Sequence, residues 1–368
     1  MRRVILMLLC ITSAFLHAAE EDEFFDAQET LSTSDFATET THLSPEPMTQ
    51  EESLWKAYKK LDGTHCVTFS PDHVVVAFRS DIDDKNLEEY DYIRKESVRV
   101  ISHSSAITAI NYDLETRSLY VGMENGNLTH HVTNVDSHTS HTIEGKEKIM
   151  AIASAKIFSF AAITNQGTFI HRHQKEPLTL HRDEKKVSLT SIAMSTDELY
   201  CITGSADGTI TRYWLILGKI AGRNFFKGHS SPVNSVALDS KKELIASGSA
   251  DTTIKLWPLK EISTKVPTTE KDCITTLTGH SGQVNSVAFH PKEFWLASGS
   301  DDNTIKIWDY RSFRCLSTLT EHTGPVTSVG FSFGYDVMVS ASNDKKVILW
   351  TTDIPAFNKR DRTLWKNI

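Results

Sequence analysis

The chain has 368 residues, of which 39% are hydrophobic, so it can bury a large core and is too long for one small domain. Its net charge of −8 is unevenly distributed, because residues 20–52 contain eleven acidic side chains and no lysine or arginine. The 316 residues after this segment contain 37 basic and 36 acidic side chains. Such a balance disfavours electrostatic binding to nucleic acid or to a membrane surface.

The first 19 residues have the composition of a secretory signal peptide. Two arginines follow Met1, residues 4–16 are mainly apolar, and two alanines precede Glu20. An apolar core of this length is too short to span a bilayer, which takes about 20 residues. We predict that residues 1–19 direct export to a periplasmic or secreted location, or a lumenal one in a eukaryote. An uncleaved anchor or a buried N-terminal helix is the alternative.

Residues 20–52 form a separate acidic segment. They combine acidic side chains with Ser, Thr and Pro and show no helical or strand period. This composition offers too little apolar surface for folding, so we predict a disordered linker. Phe24, Phe25 and Phe36 are apolar points within the segment, and they leave a docking role open.

The C-terminal half contains three copies of one pattern. Each copy runs from a Gly-His or Glu-His pair, through an alternating apolar stretch and a Ser-Gly-Ser or Ser-Ala-Ser segment, to a tryptophan. Four weaker copies lie upstream, and their clearest parts are residues 67–78, 103–128, 161–170 and 191–214. Seven copies between about residues 60 and 352 give roughly 42 residues each, which four short strands and their turns require.

This pattern resembles the WD40 repeat family, whose repeats begin near a Gly-His pair and end at Trp-Asp. Only Trp308-Asp309 keeps the literal dipeptide, and the other two clear copies keep the tryptophan alone. The resemblance implies an all-β fold, a seven-bladed WD40-type β-propeller with four antiparallel strands per blade. We expect it to occupy residues 53–353 and to be followed by a C-terminal tail, residues 354–368.

The resemblance also implies how the ring closes. In such propellers the last blade takes its outer strand from the other end of the chain. Residues 55–61 lie where that strand belongs, and their pairing with the strand that ends at Trp350 would leave no open sheet edge at the seam. A strand around residues 363–365 is the alternative, although Pro355 lies in the connection to it.

Each clear copy presents a histidine, a serine, an aspartate and a tryptophan at equivalent positions. A Ser/His/Asp set suggests nucleophilic catalysis, but an enzyme needs one such set and this chain has three. The resemblance implies that each set, here called a tetrad, forms a buried hydrogen-bond network, and we predict no catalytic residue. The three tetrads are His229, Ser247, Asp251 and Trp257; His280, Ser298, Asp302 and Trp308; and His322, Ser340, Asp344 and Trp350.

Four cysteines remain if Cys10 leaves with the signal peptide, an even number that would suit disulfides in an exported chain. Cys273 and Cys315 each lie seven residues before a repeat histidine, so they occupy equivalent outer positions in adjacent blades. Because blades diverge outward, the two should lie beyond disulfide distance. Cys66 and Cys201 fall on strands of other blades. We predict four free, buried thiols.

Eight of the sixteen histidines lie between residues 103 and 181. His171 and His173 would share one face of a strand, the geometry of a metal pair, and His130 and His131 occupy the equivalent strand of the preceding blade. No carboxylate or cysteine completes a ligand set, so we expect surface positions and no metal or other cofactor. A propeller-based hydrolase, with a channel or metal site in this region, is the alternative function.

The resemblance finally implies a partner-binding face. The loops with the Gly-His pairs and the hairpins with the aspartates open on one face of the disc. We predict that this face of a monomeric propeller binds a protein or peptide partner, since its variable residues are small and polar. We expect neither nucleic acid nor, beyond export, membrane binding. The candidate binding residues are Ser104, Asn125, Ser231, Gln283, Asp301, Gly324 and Asn343.

Overall fold

The computed structural model of the chain is built entirely from β-strands in the residues that it describes. These residues are 56–62, 64–69, 75–79, 84–91, 94–112, 118–132, 138–142, 147–154, 159–173, 179–182, 186–216, 219–239, 243–259, 273–332 and 337–351. The predicted signal peptide, the acidic linker, the C-terminal tail and the rival closing strand all lie outside this set.

The 28 strands of the described residues form seven antiparallel sheets of four strands each, which we number as blades 1 to 7. Blade 1 contains β2 (Thr64–Phe69), β3 (Val75–Arg79), β4 (Asn86–Asp91) and β5 (Glu96–Ser102). Blade 2 contains β6 (Ile107–Tyr112), β7 (Ser118–Met123), β8 (Asn127–Val132) and β9 (His138–Thr142). Blade 3 contains β10 (Ile149–Ser154), β11 (Phe160–Thr164), β12 (Thr168–Arg172) and β13 (Thr179–Arg182).

The remaining blades follow in the same order. Blade 4 contains β14 (Leu189–Met194), β15 (Tyr200–Ser205), β16 (Thr209–Ile216) and β17 (Lys219–Lys227). Blade 5 contains β18 (Val233–Asp239), β19 (Leu244–Ser249), β20 (Ile254–Pro258) and β21 (Thr275–Leu277). Blade 6 contains β22 (Val284–Phe289), β23 (Trp295–Ser300), β24 (Ile305–Asp309) and β25 (Arg314–Leu319). Blade 7 contains β26 (Val326–Phe331), β27 (Val337–Ser342), β28 (Lys346–Thr351) and β1 (Lys56–Asp62).

The blades form a closed ring. The innermost strand of each blade contacts the innermost strands of both neighbours, and β26 of blade 7 contacts β2 of blade 1. The hydrophobic core follows the same plan, because each of its seven clusters spans one interface between neighbouring blades. The predicted fold, a seven-bladed β-propeller, is therefore confirmed, including the four blades formed by the weaker repeats.

The seam of the ring is closed by the N-terminal strand. β1 pairs antiparallel with β28, from Lys56 opposite Thr351 to Asp62 opposite Lys346. The sequence had placed this strand at residues 55–61, so the prediction of its role is confirmed and its observed bounds are one residue later. Blade 7 thus joins the first described residues of the chain to the last.

The Ser-Gly-Ser segments of the repeats are explained by the packing of one blade on the next. A Cβ atom added to Gly248 would lie 2.6 Å from Cγ1 of Val284, and one added to Gly299 would lie 2.6 Å from Cγ1 of Val326. Glycine is therefore required for the close approach of the blades. Hydrogen bonds reinforce this contact, as Asn234 Nδ2 donates to the carbonyl of Val284 at 3.1 Å.

We expect deletion of residues 56–62 to lower the melting temperature by about 5 °C or more, because β28 would become an unpaired edge and the seam would open. Differential scanning calorimetry measures this directly. Deletion of residues 357–368 is the matched control and should leave the melting temperature unchanged. The opposite ranking of the two deletions would show that the tail closes the ring.

The tetrads and the candidate partner-binding face

The tetrad of blade 6 forms one continuous hydrogen-bond chain. The indole Nε1 of Trp308 donates to Ser298 Oγ at 2.8 Å, and this oxygen lies 2.7 Å from His280 Nε2. His280 Nδ1 lies 2.8 Å from Asp302 Oδ2. A neutral imidazole that donates a hydrogen bond from Nδ1 to the carboxylate can accept one at Nε2 from the serine hydroxyl. Every buried polar atom in this hydrogen-bond network then has a hydrogen-bond partner.

The same chain recurs in blades 5 and 7 with nearly identical geometry. In blade 5 the Trp–Ser, Ser–His and His–Asp distances are 2.9, 2.8 and 2.8 Å. In blade 7 they are 2.8, 2.7 and 2.9 Å. The three serines, Ser247, Ser298 and Ser340, are fully buried. Their hydroxyls therefore cannot meet a substrate, and the repeated Ser/His/Asp sets present no accessible nucleophile.

Burial and hydrogen bonding together fix the protonation states of the tetrads in blades 5 and 6. Burial lowers the pKa of His280 and outweighs the opposing effect of the Asp302 carboxylate. Burial alone would raise the pKa of Asp302, but hydrogen bonds from Thr304 and His280 lower it to about 2. At neutral pH the imidazole is thus neutral and the carboxylate is charged. The pair in blade 5, His229 and Asp251, is shifted in the same directions.

The aspartate also ties two loops together. Asp302 accepts hydrogen bonds from the backbone N–H of Ser281 at 3.0 Å, in the loop before β22, and from that of Thr304 at 3.0 Å, in the hairpin before β24. Asp344 does the same for Thr323 and Lys346 in blade 7. Each tetrad therefore holds both loops of its blade in fixed positions on one face of the disc.

The candidate binding residues lie on these loops. Asp301 N donates to the carbonyl of Gln283 at 2.9 Å, so the two residues are neighbours. Both are exposed, as are Ser104 and Asn343, whereas Asn125, Ser231 and Gly324 are half-buried. Gly324 is constrained by packing, since a Cβ atom there would lie 3.0 Å from Asp344 N.

Blade 4 has a tyrosine at the position of the tetrad tryptophan. Tyr213 pairs with Cys201 in the register in which Trp257 pairs with Ile245, so Tyr213 occupies the tryptophan position. The sequence pattern Tyr213-Trp214 did not distinguish these two residues. Trp214 is opposite Gly222 in the adjacent strand and is half-buried.

Two histidines of blade 2, His103 and His131, lie at tetrad positions. His131 pairs with Leu119 in the register of the tetrad tryptophans, and its ring meets that of His103 edge-on, with centroids 5.1 Å apart. His130 stacks on Tyr120 at 4.6 Å. His130 and His131 are each 9% exposed and His171 is 2% exposed. The expectation that these are surface residues was therefore wrong, because they fill core positions that other blades give to larger side chains.

His173 and His171 lie in different environments. β12 ends at Arg172, and His173 Nδ1 lies 2.9 Å from Glu198 Oε2 of blade 4. Within the part of the chain that the structure describes, no group of three or more His, Cys, Asp or Glu side chains is arranged to hold a metal ion. Over the same residues, no helix is long and apolar enough to cross a membrane.

The cysteines differ from the prediction in their burial. Cys201 is a free thiol and fully buried, whereas Cys273 and Cys315 are free but only half-buried. The reason is that outer strands alternate between the blade interface and solvent, as the burial pattern of β25 shows. The prediction of four buried thiols was therefore wrong for these two. Cys66 lies on β2, the inner strand of blade 1, and its side chain is outside the described part of the structure.

A cavity that the sequence analysis missed lies at the other end of the channel. Its volume is about 370 Å³, and residues at the ends of all seven inner strands line it. Asp239, at the end of β18, and His290, just after β22, belong to this wall. These positions carry no repeated pattern, so the repeats gave no signal for them.

We expect Trp308→Ala to reduce the free energy of unfolding by about 3–5 kcal/mol, because it creates a cavity and leaves Ser298 without its donor. Trp308→Phe keeps most of the packing and should cost about 1–2 kcal/mol, mainly for the lost hydrogen bond. Urea denaturation measures both variants. An unchanged midpoint for Trp308→Ala would contradict the role of the tetrad.

The tetrads also predict a loss of stability in mild acid. The pKa of His229 and of His280 is lowered on folding, so the unfolded chain takes up protons first as pH falls below about 6.5. Stability is then fully present above this pH and is lost as pH falls towards the folded pKa values. We expect a lower melting temperature at pH 5 than at pH 7.5. His280→Gln should show a smaller pH dependence, and an equal one would argue against this origin.

Comparison with known proteins agrees with this architecture. Residues 175–211, 222–258, 271–309 and 313–351 match the family model described as "WD domain, G-beta repeat". Each match begins in or before the outer strand of one blade and extends into the third strand of the next. The repeat boundary is thus offset from the blade boundary, as the closure of the ring by β1 requires.

Similar proteins include plant G-protein beta subunits. The chain is 30% identical over 167 residues to guanine nucleotide-binding protein subunit beta of Zea mays and to subunit beta-1 of Nicotiana tabacum. Each match covers 44% of this chain and 42% of the relative. The subunit beta of Arabidopsis thaliana is 32% identical over 120 residues, or 32% of this chain and 30% of the relative. The aligned region thus spans less than half of these relatives. The four segments that match the WD40 repeat model form the C-terminal part of this seven-bladed β-propeller.

Proposed function

We propose that this protein is an exported, non-catalytic scaffold that binds a protein or peptide partner on the face formed by the tetrad loops. The observation that carries the proposal is the anchoring of exposed polar residues on loops that buried networks hold fixed. Gln283 and Asp301 are exposed, and the loops that carry them are joined through Asp302. Partner binding to such a surface orders few side chains, so little entropy opposes it.

The chemistry of this face favours a protein surface over nucleic acid. The candidate residues include one carboxylate, that of Asp301, and no cation. Asn285 Nδ2 donates to this carboxylate at 2.6 Å, so Asp301 offers a positioned acceptor. Affinity for nucleic acid depends on lysine and arginine contacts with phosphates, whereas hydrogen-bonding groups with low charge are typical of protein interfaces.

Two further observations support a binding role over catalysis. The serines of the three tetrads are buried and bonded on both sides, so repetition and inaccessibility both argue for structure. The similar plant proteins are named as subunits of guanine nucleotide-binding proteins, and a subunit works by contact with other chains. We carry over only this general role and not the identity of the partner.

Export is the second part of the proposal and rests on the first 19 residues of the sequence. We expect the mature protein, isolated from the periplasm or the medium of its own host, to begin at Glu20, because two alanines precede it. Edman sequencing or terminal peptide mass spectrometry measures this. Leu8→Arg should block export by interrupting the apolar core, and a protein that keeps Met1 in the cytoplasm would contradict the proposal.

We expect a photo-crosslinking amino acid at Gln283 or Asn343 to capture one discrete partner in the protein's own compartment. These side chains are exposed on the tetrad face, which the partner should cover. Mass spectrometry of the crosslinked species identifies the partner. Asp301→Arg, in the background that carries the crosslinker at Asn343, should weaken the capture because it introduces a bulky cation on the same face.

The matched control is the same crosslinker at Leu316, which is 40% exposed on β25, the outer strand of blade 6. This position should capture no discrete partner. Equal capture from Leu316 and from Gln283 would locate the interface on the rim of the disc. Failure of both tetrad-face positions to crosslink any protein would contradict the proposed function.

A further inference from the structure

The interface between blades 3 and 4 is open at its outer edge. In blades 4, 5 and 6 an apolar residue of the outer strand packs against the next blade, and these residues are the buried Phe226, Leu277 and Leu319. His181 holds this position in blade 3, since it lies opposite Phe169 as Phe226 lies opposite Ile210. All four residues of β13, including His181, are exposed. Blade 3 therefore lacks the apolar residue that seals the other interfaces.

The core of this interface is closed beneath the open edge. The ring of Phe169 stacks on that of Tyr213 from blade 4, with centroids 4.9 Å apart, and both side chains are buried. This pair fixes the separation of the two blades, and it offers no surface to a ligand. His181 lies on the same face of blade 3 as Phe169, because the two are cross-strand partners, and Thr179 shares that face by alternation. Thr179 and His181 thus form one wall of a groove at the rim.

Arg223 and Phe225 of β17 form the opposite wall. Arg223 is exposed and lies opposite Tyr213, so it faces blade 3, and Phe225 shares this face by alternation. The guanidinium carbon of Arg223 is 5.3 Å from the centre of the Phe225 ring, a cation–π contact that positions the charge. In blade 6 the residue opposite the tetrad tryptophan is Cys315, so the arginine is not part of the repeat. We call the surface of Thr179, His181, Arg223 and Phe225 the outer groove.

The charge of Arg223 is not neutralised within the outer groove. Burial and, to a smaller extent, the charge of Arg223 lower the pKa of His181, so the two side chains are near neighbours and the imidazole is neutral at pH 7. Among the described residues, no carboxylate forms an ion pair with Arg223 and no group hydrogen-bonds to the His181 ring. Carboxylates of adjoining elements have other partners, since Glu147 Oε1 lies 3.4 Å from Arg182 and Glu198 Oε2 lies 2.9 Å from His173 Nδ1.

We infer that the outer groove binds the carboxylate of an aspartate or glutamate side chain in an extended partner peptide. The Arg223 guanidinium pairs with the carboxylate, and the neutral imidazole of His181 donates one N–H to it. Both walls are outer strands, so an extended segment can lie along them. A single cation suits one carboxylate better than the successive phosphates of nucleic acid. The groove lies on the rim of the disc, so the inference does not depend on which partner binds the tetrad face.

The test uses the full chain, with its histidine rings labelled with carbon-13, and two capped peptides, Thr-Val-Glu-Val-Thr and Thr-Val-Gln-Val-Thr. NMR titration follows the signal of His181, which His181→Asn identifies. We expect the glutamate peptide to move this signal and to bind about fivefold more tightly than the glutamine peptide. Arg223→Gln should remove that preference. Arg314→Gln alters an exposed arginine on the outer strand of blade 6 and, as the matched control, should keep it.

A second pair of variants tests the outer groove without altering the arginine. Thr179 is exposed on β13, so substitutions there should be tolerated. Thr179→Glu places a competing carboxylate on the wall opposite Arg223 and should weaken binding of the glutamate peptide, whereas Thr179→Gln should not. Equal affinity for the two peptides, an unmoved His181 signal, or an undiminished preference in folded Arg223→Gln would overturn the inference. None of these results would affect the crosslinking test of the tetrad face.

Discussion

The whole structure depends on the closure of the ring by β1 and β28. A blade of four strands is too thin to bury a core of its own, so each blade stabilises itself against its two neighbours. The seven hydrophobic clusters accordingly lie between blades, and the cluster of Phe69, Phe78 and Val339 joins blade 7 to blade 1. Without the pairing of Lys56–Asp62 with Lys346–Thr351, the last blade would lose its outer strand and the ring would have a free edge.

The tetrads act on a smaller scale, within single blades. They tie the loop before an inner strand to the hairpin between the second and third strands, so blades 5, 6 and 7 present rigid loops on one face. Blades 2 and 4 manage without the full set. In blade 2 the contact between His103 and His131 fills the space of the usual His–Trp contact, and in blade 4 Tyr213 fills the tryptophan position. The fold thus tolerates weak repeats because the neighbouring blades still supply the packing.

The two ends of the channel differ in chemistry for a structural reason. On the tetrad side, buried hydrogen bonds engage the histidines and aspartates of the three tetrads. On the opposite side, the ends of the inner strands converge, and residues from all seven blades meet in one cavity. Asp239 lies in the wall of this cavity, and the hydroxyl of Tyr310 donates to its Oδ2 at 3.1 Å. The two ends of the channel are therefore formed by different parts of the repeat.

The sequence by itself determined the repeat and its length, because these depend on local patterns that recur at fixed spacing. The structural roles of the tetrad residues were implied by the resemblance to WD40 repeats. It also predicted the closing strand within one residue. It could not place the histidines of blade 2 in the core, since their burial follows from register with strands whose own repeats are weak. The half-burial of Cys273 and Cys315 and the cavity around Asp239 were decided by the tertiary structure alone. Such features arise where residues distant in the chain converge around the ring axis or between blades, and no spacing within one repeat records that convergence.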